Sequence, residues 1–356
     1  MKILFFVGSL NGVGGVERST INLLNGLSES KNIELTLVVF DHFSNKNFKL
    51  SSNIHIVSLN ISDYKKQYIS IFFKLNQLLK KDFDILLTVE TISLLFSFLP
   101  WFLNKNRTKL VVWEHFNFKN NNGKKVRVFL RFLAAKYADL IVLLTKRDQD
   151  EWYSNLKINA KVTYIYNINQ YSLQKNSYNS SSKTILSVGR YTKVKGFDRL
   201  IKIWAILQKK YECSDWNLKI IGYGEEINNL QSMILNYKVP NISLMTTENV
   251  EQEYTGASFF CMSSYFEGLP MVLIEAQSFG LPAIAFDIFT GPSEILSVNS
   301  GILVNDNALN EYVEAIYYLI SNQVVRERMS LNAFEESKRF SKKSIISKWI
   351  YELEKI

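Results

Sequence analysis

The amino-acid sequence predicts an α/β fold of two doubly wound, parallel-sheet domains, and three observations carry that prediction. Short apolar, β-branched runs alternate with longer segments of helical period. The alternation stops in a stretch rich in Asn and Ser and then starts again. The chain's 356 residues, 47% hydrophobic and 13% aromatic, suffice for about two cores, which excludes a disordered or fibrous protein.

In chain order, the first domain is expected over residues 1–170, with strands at Ile3–Val7, Leu35–Phe40, Ile54–Leu59, Ile85–Val89, Leu110–Trp113 and Leu140–Leu144. The opening MKILFFVGSL has one lysine and a run of strand length before its glycines, so no signal peptide is expected. Residues 85–103 are the most membrane-like, but Glu90 and Pro100 interrupt them. They read as a buried strand, a loop and a short apolar helix, and no transmembrane span is expected. Residues 167–183, NINQYSLQKNSYNSSSK, read as a surface linker. The second domain, residues 171–340, has strands at Ile185–Val188, Leu218–Ile221, Ile242–Met245, Phe259–Met262 and Ala283–Phe286. The last segment, 341–356, has helical spacing through Ile345, Ile346, Trp349 and Leu353 and could pack across either domain, the first included. Two such lobes are expected to face a central cleft at the carboxyl ends of their strands, where open α/β sheets bind ligands.

Cys213 and Cys261 lie far apart and fit neither a disulfide framework nor a zinc site, which points to a reducing compartment. The net charge of +9 is uneven: residues 1–170 carry 23 Lys and Arg against 13 Asp and Glu, and the remainder 19 against 20. The first lobe is therefore expected to meet something anionic, with nucleic acid, a phosphate-bearing substrate and an anionic lipid surface as candidates.

The chemistry concentrates in SSYFEGLPMVLIEAQSFGLP, residues 263–282. Glu267 follows a strand, and Pro270 suits the first turn of a helix that puts Glu275 on its second turn. The N–H groups near Met271 and Val272 would favour a phosphate. Alone, this segment reads equally as two carboxylates facing a ligand and as a capping Glu267 with a solvated Glu275. Its apolar neighbours, however, bury Glu275 and require a partner, which a hydroxyl-rich ligand would supply. In SVGRYTKVKGFDRLI, residues 187–201, Arg190 and Lys195 sit on a basic loop between strand and helix, and both could converge on a diphosphate.

The paired glutamates around Glu267-Gly268-Leu269-Pro270, together with GRxxxxKG from Gly189 to Gly196, resemble the retaining GT-B glycosyltransferases of bacterial lipopolysaccharide, capsule and exopolysaccharide synthesis. The resemblance implies a GT-B fold of two Rossmann-like domains. It implies that Glu267 contacts the donor sugar, that Glu275 contacts the ribose, and that Arg190 and Lys195 clamp the diphosphate. By the same resemblance Gly14 and Gly15, in GSLNGVGGVERS, line the cleft against donor or acceptor, and His115 touches the donor sugar, while Glu114 is left without a role. Gly222-Tyr223-Gly224 would approach the base, and Gly291 and Glu294 the donor end of the cleft, although both segments also suit plain turns.

The reaction implied is retaining transfer of a hexose or N-acetylhexosamine from a nucleotide-diphosphate sugar, UDP-linked by family frequency, to a hydroxyl of a lipid-linked surface glycan. No metal and no further cofactor are expected, because no DxD-like pair follows a strand in a suitable place and the cationic clamp answers the diphosphate charge. Residues 123–138 interleave Lys124, Lys125, Arg127, Arg131 and Lys136 with Val128, Phe129, Phe132 and Leu133. They read either as a crossover helix or as an interfacial one, and the basic lobe favours peripheral contact with the cytoplasmic face of an anionic membrane. Nucleic acid is set aside for want of a recognisable module. A nucleotide-sugar epimerase on the same scaffold and a non-catalytic sugar-nucleotide-binding subunit stand as the alternatives.

Overall fold

The computed structural model describes residues 1–44, 48–121, 123, 125–173 and 178–356, so Lys124 and part of the 167–183 stretch lie outside the described residues. The chain forms two compact units, residues 1–168 with 342–356, and residues 169–341. Each unit is built around a wholly parallel sheet.

In the first unit, strands β1 (Lys2–Phe6), β2 (Glu34–Val39), β3 (His55–Ser58), β4 (Ile85–Val89), β5 (Lys109–Trp113), β6 (Leu140–Leu143) and β7 (Lys161–Tyr164) pair in the order β3-β2-β1-β4-β5-β6-β7. Helices α1 (Gly15–Leu27), α2 (Tyr68–Leu79), α3 (Leu94–Phe102), α4 (Val126–Tyr137) and α5 (Lys146–Asn155) make the crossovers. Buried Leu4, Phe6, Val38, Leu86, Leu110, Val112 and Ile141 form one face of the sheet core, with Ile71, Leu75, Leu130 and Trp152 packed on it. Unbroken apolar runs are what a parallel strand covered on both faces requires.

The second unit repeats the plan. Strands β8 (Thr184–Val188), β9 (Asn217–Ile221), β10 (Ile242–Met245), β11 (Phe259–Met262), β12 (Ala283–Asp287) and β13 (Gly301–Asn305) run β10-β9-β8-β11-β12-β13. They alternate with α6 (Phe197–Lys210), α7 (Ile227–Tyr237), α8 (Val250–Thr255), α9 (Met271–Ser278) and α10 (Pro292–Ile295), and α11 (Leu309–Ser321) and α12 (Gln323–Ser337) follow. The switch in strand order falls between β8 and β11, the position at which doubly wound sheets bind ligands. The last helix, α13 (Lys342–Leu353), belongs to the first unit. Its Trp349 meets Trp113 edge to face at 5.2 Å, and its Glu352 pairs with Lys161 at 2.6 Å.

Several expectations need correction. The edge strands β7 and β13 were not foreseen: only one residue of β7 and two of β13 are buried, which leaves little apolar signal. The stretch from 167 is not simply a surface linker, because Asn167 and Asn169 are buried and the Tyr171 ring packs on Phe279 at 5.2 Å. Asn169 and Gln170 go with the second unit, where Asn169 N–H donates to the Phe340 carbonyl at 2.9 Å. In helix α4 the two arginines turn inward, while Lys125 before it and Lys136 stay exposed. Arg127 and Arg131 are buried, drawn inward by Glu114 at 2.9 and 3.5 Å, while Val128, Phe129 and Phe132 face outward. Among the described residues no helix is long and apolar enough to cross a membrane.

Candidate functional site

In the second unit, two loops are zipped together at the carboxyl ends of β8 and β11. Tyr265 N–H donates to the Val194 carbonyl at 2.8 Å, and Ser263 Oγ donates to the Lys195 carbonyl at 3.2 Å. The approach is close enough that Gly196, in a left-handed conformation (φ 64°), has no room for a Cβ, which would lie 2.0 Å from the Ser263 oxygen. Arg199, in the first turn of α6, locks the pair. Its Nε donates to the Ser263 carbonyl at 2.6 Å, another nitrogen donates to the Ser264 carbonyl, and a third meets Asp306 at 2.8 Å.

This zipper brings Lys195 against Glu267, Nζ to Oε1 at 2.7 Å, with Ser264 Oγ donating to the same oxygen at 2.7 Å. Thr290 Oγ1 donates to the Glu267 carbonyl at 2.7 Å, and Gly291 (φ 106°) lies where a Cβ would strike Pro270 at 2.3 Å, so the loop after β12 braces the other two. Arg190 lies exposed just past β8, and its guanidinium has no hydrogen bond or ion pair among the described residues. Pro270 caps α9 rather than opening it, with Leu269 buried beside it. The N–H groups of Met271 and Val272 have no partner among the described residues, and Leu273 N–H is bonded to the Pro270 carbonyl at 3.0 Å. A loose guanidinium and a lysine held by a carboxylate on the loop after β8, and a helix start on the loop after β11, are each groups that suit a diphosphate.

Glu275 is buried in α9, but the sequence argument that a ligand must satisfy it does not hold. The Tyr254 hydroxyl donates to its Oε2 at 2.9 Å and the Gln170 amide to its Oε1 at 3.0 Å. Neither partner was foreseen, since both are distant in sequence and neither lies in a charged motif. Gly222 also has a packing reason: a Cβ there would sit 1.9 Å from the Gly189 carbonyl oxygen, where β9 leads into its loop. Arg199 was within a quoted segment but carried no role, because only the fold reveals the carbonyls that it reaches.

The remaining residues named from sequence lie in the first unit. Gly14 precedes α1, and a Cβ on it would lie 2.5 Å from a Glu17 carboxylate oxygen, whereas Gly15 has open space around it. His115 follows β5 and is buried, its ring centroid 4.2 Å from that of Trp113, and Nε2 has no hydrogen-bond partner among the described residues. Burial pushes the His115 imidazole down to about 4, with Arg127 acting in the same direction and Glu114 opposing, so it is neutral near pH 7. A neutral ring offers one donor and one acceptor nitrogen rather than a charge. Glu114 beside it is structural: burial alone would raise its pKa, but Arg127, Arg131, the Thr91 hydroxyl and the Phe116 N–H hold it below the ordinary carboxylate range.

Comparison with known proteins bears on the family and the fold. The family described as glycosyl transferases group 1 matches residues 169–336, and the one described as glycosyltransferase family 4 matches residues 13–168. A Haemophilus influenzae protein named "uncharacterized glycosyltransferase" is 34% identical, with 98% of each chain covered. A Campylobacter jejuni protein is 26% identical, over 98% of this chain and 97% of its own. Its name describes transfer of N-acetylgalactosamine to a GalNAc-bearing, diphosphate-linked undecaprenol. The crystal structure of Anabaena Alr3699/HepE with UDP-glucose superposes with a TM-score of 0.81 at 17% identity, covering all of both chains.

Proposed function

We propose, on the premise that this chain belongs to the glycosyl transferases group 1 family of GT-B glycosyltransferases, that it transfers a hexose or N-acetylhexosamine from a UDP-linked donor to a lipid-linked surface glycan, with retention and without a metal. The observation that carries the reading is the Lys195–Glu267 pair beside exposed Arg190. A donor's diphosphate competes with Glu267 for the ammonium and recruits the guanidinium, and the released carboxylate accepts hydroxyls of the sugar. As the glycosidic bond breaks, negative charge grows on the leaving phosphate, and these cations stabilise it there more than in the ground state. The acceptor oxygen bonds to the anomeric carbon on the face the phosphate leaves, and the acceptor's proton passes to the departing phosphate oxygen. Glu275, pre-oriented by Tyr254 and Gln170, keeps lone pairs for the ribose. His115, being neutral, serves the donor sugar by a hydrogen bond.

Support for the UDP donor comes from the fold neighbour solved with UDP-glucose, and for the lipid-linked acceptor from the name of the Campylobacter relative. Membrane contact through the first unit fits the outward apolar side chains of three successive helices, Ile69 and Phe73 of α2, Leu95 and Leu99 of α3, Phe129 and Phe132 of α4. A concavity lined by Lys80, Lys105 and Arg107 adds a place for anionic headgroups.

Labelled UDP- and GDP-sugars incubated with the protein and a lipid extract test the proposal. Label in the lipid phase supports it, an altered free nucleotide sugar favours an epimerase, and binding without turnover favours an accessory subunit. Lys195→Ala should lower turnover at least about 100-fold with an unchanged melting temperature. Wild-type turnover in that variant would refute the site.

A further inference from the structure

When a diphosphate draws the Lys195 ammonium away, the Glu267 carboxylate loses its cation just as it has to meet the sugar. An unrestrained glutamate has the rotamer freedom to follow the ammonium or to turn to water. Ser264 opposes both movements. Its hydroxyl donates to Glu267 Oε1 at 2.7 Å, the oxygen that also takes Lys195 Nζ at 2.7 Å. A carboxylate oxygen has lone pairs for two donors, so departure of the ammonium leaves the Ser264 bond standing. Because its acceptor is charged, that bond is stronger than a neutral one.

Ser264 is itself held from behind. Arg199 is buried, and its central carbon lies 4.2 Å from the Tyr265 ring and 3.9 Å from the Phe286 ring. From there Nη2 donates to the Ser264 carbonyl and Nε to the Ser263 carbonyl at 2.6 Å, while Nη1 reaches Asp306 Oδ1 at 2.8 Å and Asn307 Oδ1 at 3.2 Å. The Tyr265 hydroxyl donates to Asp198 Oδ2 at 3.1 Å, which fixes the next residue as well. Residues 263–265 are each pinned, and the buried Ser264 hydroxyl is aimed at Glu267. Only a planar fork serves these acceptors together, so a lysine at position 199 would keep the charge and lose the geometry.

A clamp that served folding alone would need only the two carbonyls. The Ser264 hydroxyl adds a bond to the one carboxylate that Lys195 holds. We infer that Ser264 and Arg199 are positioning residues for the donor sugar: Ser264 keeps the Glu267 carboxylate in place once Lys195 has left it, and Arg199 acts through Ser264. Glu267 is thereby handed from cation to sugar without reorienting, which spares the donor complex the cost of ordering it. This inference rests on the assignment of Glu267 to the donor sugar and adds two residues that work behind it.

The test is calorimetry on the full chain with UDP and with UDP-glucose, UDP-galactose and their N-acetylamino forms, each variant being measured below its unfolding transition. The quantity read is the UDP-sugar affinity divided by the UDP affinity, for the sugar that the wild type binds tightest. Loose packing weakens both ligands alike and leaves this ratio unmoved, whereas a misdirected Glu267 lowers it. Ser264→Ala should lower the ratio about tenfold, and Ser264→Thr, which keeps the hydroxyl, should hold it within about twofold. Arg199→Lys should lower it too, and combining Arg199→Lys with Ser264→Ala should lower it no further than Ser264→Ala does alone. A wild-type ratio in both Ser264→Ala and Arg199→Lys, or equal losses in the Ala and Thr variants, overturns the inference; additive losses in the combined variant overturn the route from Arg199 through Ser264. Glu267→Gln tells the two failures apart. A lowered ratio there leaves the donor assignment standing whatever Ser264 does, and an unchanged one removes Glu267 from the sugar and the inference with it.

Discussion

Glu267 neutralises Lys195 at 2.7 Å in this structure, so it competes with any anion for the ammonium. Glu267→Gln should therefore bind UDP, which has no sugar, about three- to tenfold tighter while sugar transfer falls; weaker UDP binding, measured by calorimetry, would remove Lys195 from the diphosphate site. Two buried groups in the other unit set an opposing pH response. The His115 pKa lies at about 4 against an ordinary 6.5, so the unfolded chain binds the extra proton and this contribution to stability is lost as pH falls from 6.5 toward 4. The Asp148 pKa is pushed up to about 7 from 3.8, by burial first and then Glu114 and Glu151, so its contribution is present at low pH and lost as pH rises through the same interval. Asp148→Asn should leave a stability that climbs with pH between 5 and 6.5, and His115→Gln one that declines. Identical slopes in melting experiments on the two variants would show that the shifts are not there.

Among the elements, α4 makes the clearest case. Its inward arginines form a buried network with Glu90 and Glu114, and removing one partner of such a pair leaves an uncompensated charge. Arg127→Ala should cost about 3–5 kcal/mol in urea denaturation. The outward residues behave differently: Phe129→Ser with Phe132→Ser should leave the denaturation midpoint nearly unchanged yet reduce co-sedimentation with anionic vesicles, and full retention on vesicles would place the membrane contact elsewhere. Hydrophobic period located this helix, but a basic residue between two phenylalanines has the same spacing whether it points in or out. The direction was set by Glu114, at the end of a strand thirteen residues earlier.

For the whole molecule, the returning helix α13 completes the first unit. Trp349 is buried against Trp113, and Gly26 of α1 makes room for Ile346, since a Cβ there would lie 2.3 Å from that side chain. Trp349→Ala should cost about 3–5 kcal/mol in stability, while UDP binding, assigned to the second unit, should persist when measured below the unfolding transition. Loss of UDP binding in the still-folded variant would contradict that assignment.

Sequence alone determined the two parallel α/β units, eleven of the thirteen strands found among the described residues, and the loops that carry Lys195 and Glu267. Those features are written in local terms: runs of buried side chains, a proline and a glycine at loop turns, charges on short spacings. Tertiary structure decided the rest. It alone showed that Glu275 finds its partners in Tyr254 and Gln170, that Arg199 ties the two loops together, that the α4 arginines turn inward, and that α13 belongs with the first unit. Each of these is a pairing between groups distant along the chain. A buried charge requires some partner, but only the folded chain decides which group comes within hydrogen-bonding distance.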